Sequence, residues 1–176
     1  MAILQRIFGY LIAAILLFLF VQNLLIFCIG WGTAFMGDYQ MVADYMDQDR
    51  PIGEPPVWKL LIGVVFSVLF LGAVGVVVWS LNRLRINVTV EGLASAASAR
   101  ALRRTGQGLV AIWIAILLLD YILPMIFYGS RAAEPEWVVE VLSLDILLAF
   151  VGAVLISVAG VAEEAAALRD ENQQFI

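Results

Sequence analysis

Four long apolar stretches constrain this chain more than any other feature of its sequence. They cover residues 8–31, 58–81, 108–128 and 138–161. A hydrocarbon core of about 30 Å needs roughly 20 helical residues to cross it, and each stretch is long enough. A segment in lipid must also satisfy its own backbone hydrogen bonds, which predicts a helix in each stretch. The expected fold is therefore an all-α membrane protein, a bundle of four transmembrane helices in one domain.

The composition agrees with a lipid environment and excludes several function classes. Of 176 residues, 63% are hydrophobic and 14% are charged, whereas soluble domains have about 45–50% and about 25%. The net charge of −5 argues against a nucleic-acid-binding surface. Cys28 is the only cysteine and histidine is absent, so a disulfide within the chain and imidazole ligands for zinc or haem are excluded. We therefore predict no catalytic residues, no metal site, no cofactor and no enzymatic activity.

Basic residues predict the orientation of the chain. The segment 82–107 carries five arginines and one acid, whereas the segment 32–57 carries five acids and one arginine. The positive-inside rule then places 82–107, the N-terminus and the tail 162–176 in the cytoplasm. Four aromatic residues at the opposite ends of the spans are predicted to form an interfacial belt: Trp31, Trp58, Tyr128 and Trp137.

The basic segment is expected to contain a short cytoplasmic helix before the third span. Ser95 is a suitable N-cap, and residues with high helix propensity follow it. Pro124 lacks a backbone donor and is expected to kink the third span.

Two cytoplasmic segments resemble a known family. The first is SARALRRTG at 98–106, and the second is VAEEAAALRDEN at 161–172. Together with the four helices and the length of the chain, they look like the bacterial membrane proteins of domain-of-unknown-function family 2975. Thr105 departs from the isoleucine that is usual there. The resemblance implies a four-helix inner-membrane protein, often encoded beside a helix-turn-helix regulator, and it supplies no catalytic residues.

Four polar residues lie at one predicted depth, seven to nine residues from the outer ends of their spans: Asn23, Ser67, Asp120 and Asp145. This places them roughly 10–14 Å below the boundary. A carboxylate at this depth costs about 2.5–3.5 kcal/mol on insertion scales, so both acids are expected to face the bundle interior. Two interpretations stay open: a proton or cation site, and a neutral hydrogen-bonded pair that joins two helices. A cation supplied by a partner protein is a third.

Small residues four positions apart predict close helix contacts. They are Gly63 with Ser67, Ala111 with Ala115, and Ala149 with Ala153 and Ser157. Packing inside the bundle and a homo-oligomer face both remain open for them.

The cytoplasmic side offers two candidate docking features. Arg100, Arg103 and Arg104 have the spacing of one helix face, which suits anionic lipid or an acidic partner. Phe175 and Ile176 form an apolar chain end suited to a groove.

These features predict a non-enzymatic interaction or regulatory protein, or an accessory subunit of a larger membrane complex. Its expected partners are membrane lipids and another membrane or cytosolic protein. The alternative is a small transporter or a proton- or cation-conducting protein built around Asp120 and Asp145.

Overall fold

In a computed structural model the chain folds into long helices. Residues 2–45, 53–90, 92, 95–129 and 138–174 are described, and for some of them the backbone alone is described: 2–9, 11–13, 16, 19, 45, 138–145, 170 and 172–174. The elements in chain order are α1 (Ala2–Phe35), α2 (Gln40–Tyr45), α3 (Val57–Val90), α4 (Ala96–Leu117), a π-helical segment (Leu118–Ile122), α5 (Leu123–Tyr128) and α6 (Val138–Gln174). No strand occurs in these residues.

Three helical stretches are long and apolar enough to cross a membrane. They are Val57–Val90, Ala96–Tyr128 and Ile146–Arg169, and α1 adds the shorter apolar stretch Phe20–Phe35. Large apolar side chains cover their surfaces; Phe18 is 67% exposed and Phe150 is 63% exposed. Soluble monomers rarely expose continuous apolar surface on this scale. The chain is therefore a multi-pass membrane protein.

The long helices run antiparallel to their neighbours, with α4 in the middle. α4 contacts α3 on one side and α6 on the other, whereas α1 contacts α3 and the short α2. Within the described residues the backbone of α1 approaches neither α4 nor α6. The helices thus form a row, α1–α3–α4–α6, rather than a closed ring of four.

The row has two distinct ends. We call the end where α1 finishes and α3 begins the α2 end. We call the opposite end, where α3 finishes, α4 begins and α6 finishes, the arginine end.

Glycine allows α4 and α6 to approach until their backbones touch. A Cβ on Gly106 would lie 2.6 Å from the carbonyl oxygen of Gly152, and a Cβ on Gly152 would lie 2.8 Å from that of Gly106. Ala153 and Ser157 of the predicted α6 stripe are exposed, so they do not pack inside the described bundle, and the homo-oligomer face stays a prediction. The buried positions of α6 are instead Gly152, Ala159 and Ala166, which are spaced seven residues apart.

A hydrogen bond and a second close contact join α3 to α4. Thr105 Oγ1 donates to Ser80 Oγ at 2.9 Å, and Ser80 Oγ donates to the carbonyl of Val77 at 3.1 Å. Both hydroxyl side chains are almost fully buried. A Cβ on Gly108 would lie 2.6 Å from Val77 Cγ2. This pair of helices is therefore fixed both in distance and in register.

The predicted N-cap of the basic segment is confirmed. Ser95 Oγ accepts a hydrogen bond from the backbone N–H of Ser98 at 3.1 Å, and α4 starts at Ala96. The helix then continues without a break to Leu117, so the predicted short helix is the first part of α4 rather than a separate element.

The helix changes its winding just before Pro124. The π-helical segment Leu118–Ile122 ends with the N–H of Leu123 bonded to the carbonyl of Leu118. Pro124 has no backbone N–H, so one carbonyl of the preceding turn loses its usual helix hydrogen bond. The wider π turn accommodates this missing bond. The π turn lies directly before Pro124, and the predicted kink stays a prediction.

The glycine contact between α4 and α6 yields a matched pair of variants. We expect Gly152→Ala to lower the free energy of unfolding by about 1–3 kcal/mol, because the new methyl group overpacks a backbone contact. Gly160→Ala is the control, since a Cβ there meets nothing within 4 Å and should leave stability equal or slightly higher. Thermal unfolding in detergent measures both. Equal midpoints for the two variants would contradict the contact.

Candidate functional site

Trp31 forms the centre of the α2 end. Its indole Nε1 donates to Ser67 Oγ at 3.0 Å, and Ser67 Oγ donates to the carbonyl of Gly63 at 2.9 Å. A Cβ on Gly63 would overlap the indole ring, so the ring occupies the space that glycine leaves open. Gly63 and Ser67 do contact a second helix, but the side chain of Trp31 from α1 fills the space in place of the predicted close approach of backbones.

This inward position corrects the predicted aromatic belt. Trp31 is only 8% exposed and packs with Leu60, Leu119 and Leu123, whereas Trp58 is 53% exposed. Burial is favourable for Trp31 because Ser67 satisfies its one polar group inside the protein. Trp137 lies outside the described residues.

A cleft lies beside Trp31, between α1, α2 and α3. Its volume is about 340 Å³, and most of its lining is apolar, with Asn23, Asp44 and Ser67 as the polar members. Asn23 and Ser67 therefore line one space, and their role in a polar site stays a prediction. The Asp44 carboxylate accepts from the Gln40 side chain at 2.7 Å, so this acid also supports its own short helix.

Asp120 lies apart from this cleft. The prediction that its side chain faces the bundle interior is wrong, because the side chain is exposed on the surface of the bundle. The inward positions of this turn belong to Leu119 and Leu123, which are 2% and 0% exposed and pack beneath Trp31. The side chain of Asp145 lies outside the described residues. The predicted four-residue polar layer is thus a pair at the cleft and an outward-facing carboxylate.

Lys59 closes the α2 end, and sequence reasoning did not single it out. Its Nζ donates to the carbonyl of Phe127 at 3.2 Å and lies 5.7 Å from the centre of the Trp58 ring. A cation at the C-terminal carbonyls of α5 satisfies acceptors that the helix leaves open.

The three predicted docking arginines have different surroundings at the arginine end. Arg103 forms an ion pair with Glu163 of α6 at 2.6 Å, and Arg100 Nε donates to the carbonyl of Ala96 at 3.2 Å. The guanidinium of Arg104 lies 5.3 Å from the centre of the Trp79 ring. Phe175 and Ile176 lie outside the described residues.

Further cations complete this end, and the sequence analysis missed their role. Arg83 lies 5.5 Å from the same Trp79 ring, and Arg85 lies 4.8 Å from the ring of Tyr10 in α1. Arg85 also donates to the Asn82 side chain at 3.1 Å. Trp79 and Arg83 are four residues apart, a spacing that places two side chains on one helix face and would have revealed the pair. The approach of Arg104 depends on the register between α3 and α4, which no local pattern encodes.

The described side chains offer little for metal or redox chemistry. No three of the described cysteine, aspartate and glutamate residues lie close enough together to hold a metal ion. Cys28 is a free, exposed thiol on α1.

Comparison with known proteins gives one match. A family model described as a protein of unknown function, DUF2975, matches residues 41–176, from α2 through α6. No curated protein and no solved structure matches the chain.

The hydrogen bond between Trp31 and Ser67 can be tested against a second serine. We expect Ser67→Ala to lower the free energy of unfolding by about 1–2 kcal/mol, because it leaves the indole N–H without its acceptor in the core. Ser157→Ala is the control, since that exposed hydroxyl bonds only to the carbonyl of its own helix at Ala153. Chemical denaturation in mixed micelles would measure the difference. A loss in Ser157→Ala as large as in Ser67→Ala would count against the role of this bond.

Proposed function

Since the chain belongs to the DUF2975 family, whose function is unknown, we propose a role from its own exposed residues. It is a non-enzymatic membrane protein that binds another protein chain through its spans, as a regulatory protein or as an accessory subunit of a larger complex. The observation that carries this proposal is the outward-facing carboxylate of Asp120 in the third membrane-crossing stretch.

The depth of Asp120 makes its exposure costly in lipid. The residue lies eight positions before Tyr128, the end of the stretch, which corresponds to roughly 12 Å along a helix. A carboxylate near the centre of a bilayer costs about 2.5–3.5 kcal/mol on insertion scales. A second protein surface over the exposed part of this side chain replaces its contact with lipid, which lowers the cost.

The surroundings of Asp120 suit a protein contact. The π turn alters the winding of the helix at this point, and π turns occur often at functional sites.

The proposed orientation has four spans, with both chain ends in the cytoplasm of a bacterial plasma membrane. It is supported by the position of the arginines. Arg85, Arg103 and Arg104 lie at the end of the row where α1 starts and α6 finishes, opposite to the acidic α2 end. Cytoplasmic segments of membrane proteins carry the excess of arginine and lysine.

The proposal predicts a companion chain whose retention depends on Asp120. After gentle extraction from its native membranes, we expect native mass spectrometry to detect the chain with a stoichiometric companion, a different protein or a second copy. Asp120→Asn should lower the retained fraction about tenfold, since breaking an intramembrane polar contact costs about 1–2 kcal/mol. Glu164→Gln removes an exposed acid outside the proposed spans and serves as the control.

Two outcomes would contradict the proposal. One is a lone chain in the wild type and in both variants. The other is proton leakage through vesicles of the purified chain that disappears in Asp120→Asn, which would favour the conducting alternative.

A further inference from the structure

Two arginines from different helices converge on one tryptophan at the arginine end. The guanidinium carbons of Arg83, on α3, and Arg104, on α4, lie 5.5 Å and 5.3 Å from the centre of the Trp79 ring. Trp79 is 47% exposed, and both arginines are exposed as well. The described part of the chain provides an ion pair for Arg103, but not for Arg83 or Arg104. Two neighbouring cations that share one ring favour an anion beside them.

The register between α3 and α4 fixes this arrangement. Trp79 and Arg104 each precede one member of the buried Ser80–Thr105 hydrogen bond. Because consecutive helical residues are rotated by about 100°, the bond holds the two preceding side chains at one level and turns them toward the surface. The glycine contact at Gly108 and Val77 lies on the membrane side of this bond and limits the sliding of one helix on the other.

The surface beside the three residues is apolar along the whole span. Positions three, seven and ten residues before Trp79 lie on the same face of α3. They are occupied by Val76, Gly72 and Leu69, and all are exposed. A ligand with a phosphate group at the arginine end and a hydrocarbon chain along α3 would contact both the arginines and the apolar face of α3. A free anion or an acidic peptide would contact only the arginines.

We propose that Trp79, Arg83 and Arg104 bind the phosphate of an anionic phospholipid whose acyl chain lies along the exposed face of α3. Arginine is suited to phosphate through paired N–H donors, and tryptophan is favoured at the level of the headgroups. The site goes beyond the proposed function and does not depend on a companion chain.

The test compares two double variants that remove the same charge. The full-length chain, delipidated in detergent, is titrated with phosphatidylglycerol or with phosphatidylcholine of the same acyl chains, and bound lipid is counted by native mass spectrometry. We expect the wild type to prefer phosphatidylglycerol. In Arg83→Gln with Arg104→Gln the apparent dissociation constant for phosphatidylglycerol should rise about 25-fold, at about fivefold per arginine.

The matched control is Arg100→Gln with Arg103→Gln, which lowers the net charge equally but leaves Trp79 and its two arginines in place. Its affinity should change less than threefold. Trp79→Leu should weaken binding while retaining both charges. Unfolding midpoints of all variants check that each remains folded.

Three results would overturn the proposal. Equal losses in the two double variants would show attraction by net charge alone. Equal affinity of the wild type for both lipids would remove the phosphate preference. Displacement of the lipid by millimolar inorganic phosphate, or by an acidic peptide at the same concentration, would show that the arginines bind a soluble anion rather than a lipid.

Discussion

The close approach of α4 to its two neighbours is the contact on which the rest of the structure depends. Lipid solvates apolar side chains as well as a protein core does, so membrane helices associate through close packing and buried hydrogen bonds. Gly106 and Gly152 provide the packing on one side of α4. Thr105 and Ser80 provide the hydrogen bond on the other. The family-like segment SARALRRTG thus carries its packing residues and its arginines on different faces of one helix.

The two ends of the molecule differ in the contacts that α1 makes there. At the α2 end, Trp31 anchors α1 to α3 through Gly63 and Ser67, and the cleft opens beside this anchor. At the arginine end, α3, α4 and α6 hold the charged residues, and α1 adds the ring of Tyr10 beneath Arg85. A row of helices joined in this way leaves long apolar faces exposed. Lipids and other chains have access to these faces, which links the packing to both proposals.

Much of the fold could be predicted from the sequence because it depends on length and local chemistry. Helices in the apolar stretches follow from the cost of unsatisfied backbone groups in lipid, and the Ser95 cap follows from side-chain geometry. The rotation of each helix about its axis could not be predicted. The sequence around Trp31 is also typical of an interfacial belt residue, and its burial depends on the space beside Gly63 on another helix. Asp120 faces outward because Leu119 and Leu123 take the inward positions. The Trp79 cluster needs the register of two helices, which arises only from their packing.

The proposed membrane orientation has the arginine end in the cytoplasm and the α2 end on the opposite side. It is tested most directly by labelling single cysteines in intact cells. In a Cys28→Ser background, Glu54→Cys lies just before α3 at the α2 end, and Glu164→Cys lies near the end of α6 at the arginine end; both positions are exposed. We expect a membrane-impermeant maleimide to label Glu54→Cys in intact cells, and Glu164→Cys only after the membrane is permeabilised. Labelling of both positions in intact cells, or the reverse pattern, would contradict it.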